Sequence, residues 1–187
     1  MNIFLSNFSW MMPNLALASL GFVFALMYLR TKSKLWKLLL FIAWFLFVPN
    51  TIYLLTDVQH YFEQLTRVDL LGWVLITIQY IALVAFGVLT YFAGMMPMEE
   101  FFKRVKFKHY SFVFLIFNFA IAFAVVLGKI ERTHSWYVVT QPLRVINDIE
   151  HLLKTPVLVI AVILLGILFN LIYFTFRKKI SKLFKKH

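Results

Sequence analysis

The chain contains no cysteine. A disulfide framework, a thiolate nucleophile and a thiolate metal site are therefore excluded, and the redox compartment leaves no mark on the composition. Charge is scarce: Asp, Glu, Lys and Arg make up 14% of the 187 residues, and only eight are acidic. The phosphate-cradling glycine loop, the Gly-x-Ser-x-Gly elbow and the His-Glu-x-x-His pair are missing, so nucleotide use and familiar hydrolase chemistry lack support. The segments 70–93, 110–127 and 156–176 hold no Asp, Glu, Lys, Arg or His. A proton-coupled pump or an ion channel usually needs ionisable groups or a polar path at that depth.

Apolar residues fill that space. The chain is 62% hydrophobic and 19% aromatic, with a mean hydropathy of +0.82, well outside the range of soluble domains. Five runs, 11–29, 35–55, 70–93, 110–127 and 156–176, approach or reach the roughly 20 residues that cross a hydrocarbon layer about 30 Å thick. They lack the period-2 alternation of barrel strands, so each satisfies its backbone as a helix. The first run has no preceding Lys or Arg, and Arg30, Lys32 and Lys34 follow it, which predicts a retained span rather than a signal peptide.

The net charge of +11 would point to nucleic acid in a soluble protein, but its distribution reads as topology. Lys and Arg number four in 30–37, four in 95–109 and six in 177–187, against none before the first run, one in 56–69 and four in 128–155. The positive-inside rule then predicts an N-terminus outside, a C-terminus inside and an odd number of crossings. The basic tail 177–187, with Ile180, Leu183 and Phe184 on one stripe, is expected to meet anionic lipid headgroups. Most carboxylates and histidines fall on the predicted outer side: Asp57, Glu63, Asp69, Glu131, Asp148 and Glu150, with His60, His134 and His151.

Two outer stretches carry the candidate chemistry. In "FVPNTIYLLTDVQHYFE" Pro49 has no N–H to offer the Phe45 carbonyl and disfavours helical angles at Val48, which predicts a kink with Asn50 placed to repair it. Beyond the kink, Asp57, His60, Tyr61 and Gln64 share a helical face. In "VINDIEHLL" the Asp-x-x-His spacing recurs at Asp148 and His151. Thr140 reads as an N-cap ahead of Pro142, and Val145, Ile146, Ile149, Leu152 and Leu153 form the apolar stripe of an interfacial helix over about 142–154, with Arg144, Asp148 and His151 opposite. Two facing Asp-x-x-His pairs would supply an acid and a base, or hold a divalent metal through His60 and His151. The plainer alternative is a wet interfacial turn with Glu63 paired to Arg67 and with Tyr53 and Tyr61 as belt aromatics.

"FVPNTIYLLTD" resembles a Pro-Asn-x-x-Tyr-x-x-Thr-Asp pattern, and "GKIERTHSWYVVTQP" resembles Gly-x-x-x-Arg-x-x-Ser-Trp-Asp. Both are carried by the bacterial membrane family called domain of unknown function 1361. The resemblance singles out Pro49, Asn50, Tyr53, Thr56 and Asp57, then Gly128, Arg132, Ser135 and Trp136. Tyr137 stands where the pattern has an acid, and His134 where it has Asn. It implies a membrane fold and an outer-face site, with no activity to transfer. From the residues themselves, Trp136 and Tyr137 read as interfacial anchors, and Arg132 as a bidentate partner for phosphate or carboxylate, or for Glu131 or Asp57.

The expected protein is thus one all-α integral membrane domain over 1–187, with five transmembrane helices, an outer interfacial helix and a basic tail, in the bacterial inner membrane. Its expected function is binding or processing of an anionic lipid-linked envelope molecule. Asp57, His60, Asp148 and His151 are the acid/base candidates, and Asn50, Tyr53, Arg132, Trp136 and Arg144 the binding candidates. A non-enzymatic scaffold with a membrane-protein partner is the alternative, and a small-solute transporter the third. Gln79, Asn118 and Asn170 are expected to bond between helices.

Overall fold

The structure, a computed structural model, describes residues 3–184. Helix accounts for 88% of it, and no strand occurs among the described residues. Five helical runs are long and apolar enough to cross a membrane: Ile3–Arg30, Lys34–Leu65, Leu70–Arg104, Tyr110–Ile130 and Pro156–Ile180. Leu35, Leu71, Ile81, Leu164 and Leu171 are each more than 60% exposed. Water would penalise every such side chain by roughly 1.5–3 kcal/mol, whereas hydrocarbon does not.

The chain divides between Pro97 and Met98 into two compact units. The first holds α1 (Ile3–Arg30), α2 (Lys34–Phe47), α3 (Pro49–Tyr53), a 3₁₀ turn (Leu54–Val58), α4 (Gln59–Leu65) and most of α5 (Leu70–Arg104). Met11 and Ala18 of α1, Leu54 of the turn, and Ile76, Tyr80 and Leu83 of α5 form one buried cluster of its core. The first helix starts at Ile3 rather than at 11, because the polar groups of its first turns find partners, as Asn7 shows with bonds to Gln64 and Gln79.

Pro49 interrupts the second run as expected, but Val48 keeps helical angles of φ −58° and ψ −31°. The chain thus does not swing Val48 into an extended conformation, and farther along it tightens into 3₁₀ geometry over Leu54–Val58. Polar side chains cover the carbonyls on either side. Asn50 Nδ2 donates to Phe47 O at 3.1 Å, Thr51 Oγ1 to Val48 O at 2.7 Å and Thr56 Oγ1 to Tyr53 O at 2.6 Å. Two glycines let neighbouring helices reach this backbone. A Cβ on Gly21 of α1 would lie 3.0 Å from Val48 Cα, and one on Gly87 of α5 would lie 2.8 Å from Thr51 O. Only a residue without a side chain fits at that approach.

The second unit holds α6 (Tyr110–Ile130), α7 (Tyr137–Thr140), α8 (Pro142–Lys154), α9 (Pro156–Phe184) and the end of α5. The register of α6 on α9 is antiparallel. Phe114 stacks on Tyr173 with ring centroids 5.7 Å apart, Asn118 Nδ2 donates to Asn170 Oδ1 at 3.0 Å, and the Phe119 ring occupies the space a Cβ on Gly166 would need. The amides at 118 and 170 therefore bond between helices as expected. Helix α8 begins after Gln141, not after a capping Thr140, because Thr140 closes α7 and donates back to Trp136 O at 3.1 Å. Leu152 and Ile149 of α8 pack on Val126 and Leu127 of α6, while Leu143, Ile146 and Leu153 stay exposed. The apolar stripe thus divides between protein and the surrounding phase, as suits an interfacial helix.

Glu99, which the sequence pattern leaves in a loop, is buried on α5. It accepts hydrogen bonds from Tyr173 and from Arg177 Nη1 at 3.3 Å, and Lys103 Nζ lies 2.7 Å away. These partners carry the helix on to Arg104, past the expected end at 93.

Candidate functional site

Asp57, His60 and Gln64 do share a face, and in the first unit that face meets α1. Asn14 Nδ2 donates to Asp57 Oδ2 at 3.3 Å, the His60 ring meets Trp10 edge-on at 5.9 Å between centroids, and Gln64 Nε2 donates to Asn7 Oδ1 at 2.9 Å. Stepping forward along the turn and α4 corresponds to stepping back along α1, so the contacts form three rungs of an antiparallel ladder. Asn7 Nδ2 also donates to Gln79 Oε1 at 2.9 Å, and Tyr61 shares a 2.9 Å hydrogen bond with Thr77, which brings in α5.

The ladder corrects the picture of a wet turn. Asp57 is 3% exposed, and a carboxylate so placed needs hydrogen-bond donors such as Asn14. Glu63 is oriented towards His60 Nδ1 at 3.7 Å instead of towards Arg67. Among the binding candidates here, Asn50 serves the helix break and Tyr53 supplies the carbonyl that Thr56 bonds.

In the second unit, the candidates gather where α6 ends and α8 passes. His151 Nδ1 lies 2.7 Å from Glu131 Oε1, and Thr133 Oγ1 donates to Asp148 Oδ2 at 2.5 Å. Arg144 is held from several sides. Its Nε lies 3.7 Å from Asp148 Oδ2, its Nη1 donates to Gln141 Oε1 and its Nη2 to Glu131 O, each at 3.4 Å, and its guanidinium sits 4.7 Å from the Tyr137 ring centroid. Lys154 pairs with Glu150 one turn away.

The His134 ring stacks almost flat on Trp136 at 4.4 Å between centroids. Partial burial, and then the Arg144 charge, push the His134 pKa below its ordinary value, so the neutral imidazole is favoured there. Arg132 has φ +54°, the left-handed position just after the α6 C-cap at Glu131, where glycine is the usual residue. Lys106, beyond the end of α5, takes the same conformation. What distinguishes Arg132 is its setting, one residue from the carbonyl that holds Arg144.

The two Asp-x-x-His pairs therefore lie in separate units, and each is bonded within its own. Among the described residues no three His, Asp or Glu side chains form a group able to hold a metal ion. His60 with Glu63, and His151 with Glu131, each offer a two-member set. Glu131 and Thr133 escaped the sequence reading as partners of the α8 residues. Both lie in the quoted "ERTHSWY", but their contacts run 20 and 15 residues ahead, where no spacing rule reaches.

Five long apolar helices with polar groups bonded between them and a charged, aromatic corner beside an amphipathic helix define a multi-pass helical membrane protein. The chain belongs to the family described as protein of unknown function (DUF1361), whose family model matches residues 13–172. That stretch contains both motifs, the helix break and the α6–α8 corner. No curated protein and no solved structure matches the chain.

Proposed function

We propose that the protein sits in the bacterial inner membrane with its N-terminus outside and its basic C-terminal tail against anionic headgroups inside, and that the α6–α8 corner binds an anionic, lipid-linked envelope molecule. The carrying observation is the pair Arg132 and Arg144. Arg132 is exposed and held at φ +54°, a backbone state that costs a side-chain-bearing residue about 1–2 kcal/mol relative to glycine. Arg144 is pinned on the carbonyl of Glu131, the residue before Arg132, before any ligand arrives, which lowers the ordering cost of binding a phosphate. Trp136, 43% exposed, offers an apolar wall at headgroup level. Asp148 and His151 support a positioning role over acid/base chemistry, since each is already engaged with Thr133, Arg144 or Glu131.

The alternative of a scaffold or accessory subunit draws on the Asp57 ladder, where polar groups serve helix packing. Mass spectrometry of lipid retained through mild purification separates the two. The binding reading expects one lipid-linked envelope molecule per chain, distinct from ordinary phospholipid and lost in Arg132→Ala and Arg144→Ala. A stoichiometric protein partner without such a molecule overturns it in favour of the scaffold. Because the native chain has no cysteine, single Thr66→Cys and Ser181→Cys variants report sidedness cleanly. Labelling of Thr66→Cys alone from outside the cell is expected, and labelling of Ser181→Cys alone would reverse the orientation.

A further inference from the structure

An open groove of about 280 Å³ runs along the membrane-facing seam of α6 and α9, lined by Leu115, Phe119, Ile167, Asn170, Leu171, Phe174 and Thr175. Its wall is almost wholly apolar, because the amides that might have made it polar are spent: Asn170 Nδ2 donates to Gly166 O at 2.8 Å and its Oδ1 accepts from Asn118. At one end the character changes abruptly. Lys178 follows Thr175, Phe174 and Leu171 at offsets of three, four and seven residues, which puts it on the same helical stripe, and it is exposed. Arg177 lies beside it, its guanidinium 4.6 Å from the Phe174 ring centroid. The antiparallel register of α6 on α9 brings the start of α6, and with it Lys108 just ahead, to this same end.

From Ile167 to Lys178 the stripe rises by about 16 Å at ~1.5 Å per residue, close to half of a hydrocarbon layer roughly 30 Å thick. The groove is therefore the length of one leaflet, with its cationic end where headgroups lie. The geometry points to a binding site for one anionic phospholipid, an acyl chain lying along the α6–α9 seam and the phosphate meeting Lys178 and Arg177. Glu99 sets one negative charge against the two cations Lys103 and Arg177, so a positive charge is left over beside Lys178, which makes no ion pair among the described residues. A zwitterionic lipid would fill the same groove and offer the same phosphate, but its ammonium group would be repelled by the two cations, so it gains less from them. The site lies at the opposite end of α6 from the Arg132–Arg144 corner and does not depend on the function proposed for it.

The test is native mass spectrometry of the full-length protein titrated with phosphatidylglycerol or phosphatidylethanolamine of identical acyl chains. One phosphatidylglycerol should be retained per chain, with phosphatidylethanolamine held about tenfold less. Lys178→Glu should lower phosphatidylglycerol retention about tenfold, Leu171→Trp should fill the groove and remove the bound lipid, and Lys179→Glu, off the stripe, should leave retention unchanged. Each variant is first checked for a monodisperse elution profile and a wild-type helical spectrum. Equal retention of the two lipids, wild-type retention in Lys178→Glu, or equal losses in Lys178→Glu and Lys179→Glu would overturn the site, the last because it reports only bulk charge. If Leu171→Trp fails to fold, Thr175→Trp fills the same groove from the next turn.

Discussion

The imidazole of His151 on α8 meets the carboxylate of Glu131 at the end of α6, 2.7 Å away and 20 residues back along the chain. This contact, with Thr133 on Asp148, clamps the amphipathic helix over the α6 terminus. Apolar packing of Leu152 against Val126 and Leu127 adds to it.

Breaking the clamp should therefore loosen α8 without unfolding the bundle. Glu131→Ala is expected to speed amide exchange across 142–154 by about two- to fivefold, the modest size reflecting a pair that is partly exposed and worth ~1 kcal/mol or less. Exchange in the α6 and α9 interiors should stay at wild-type levels. Unchanged protection of α8 would show that Leu152 and Ile149 alone hold the helix.

His134 supplies a pH dependence with a definite sign. Its folded-state pKa lies below the ordinary value, so as pH falls through the ordinary histidine range the unfolded chain takes up a proton that the folded corner resists. This group's contribution is complete above that range and declines below it. Melting curves of the detergent-solubilised protein between pH 8 and pH 5 should show a smaller acid loss for His134→Gln than for wild type. An equal loss in both would remove His134 as its source.

Gly87 should tolerate less than Gly94. A Cβ at 87 would sit 2.8 Å from Thr51 O, a backbone atom, whereas one at 94 meets nothing nearer than 3.5 Å. Gly87→Ala is expected to cost about 1–3 kcal/mol, read as a fall in melting temperature, and Gly94→Ala much less. Comparable effects would mean that α5 can slide away from the break.

Asp57→Ala leaves the Asn14 amide without its partner and should cost roughly 1–3 kcal/mol. The Asn14→Ala, Asp57→Ala double variant should lose less than the sum of the two, because the stranded donor disappears with its acceptor. Strict additivity would show that the contact carries no energy.

Glu99 gives the largest expected loss. Its removal leaves Arg177, itself mostly buried, and the buried Tyr173 hydroxyl unsupported, so Glu99→Ala should destabilise by about 3–5 kcal/mol, with Glu99→Gln intermediate. Equal stability of the Glu99→Ala variant and wild type in a thermal scan would refute the anchoring role.

Spans, the amphipathic helix over 142–154 and the helix break were readable from composition and pattern alone, because crossing hydrocarbon imposes a length and an apolar content that need no partner. Pro49 likewise announces a lost hydrogen bond wherever the segment packs. Asn118 and Asn170 were legible too, since a mid-span amide has few outlets except another helix. What the chain wrote less plainly was how the ends of helices would be satisfied: the first run was expected to begin at 11, and Glu99 to fall in a connection after 93.

Those choices belong to the tertiary structure. Asp57 is buried because α1 presents Asn14, Trp10 and Asn7 to it in reverse order, and His151 is engaged because the α6 terminus delivers Glu131. Local sequence encodes the tendency of each helix to form and to enter the membrane. Only packing decides which distant polar group answers each buried one, because an unpaired donor or charge away from water costs several kcal/mol and its partner is found in space, at no fixed interval along the chain.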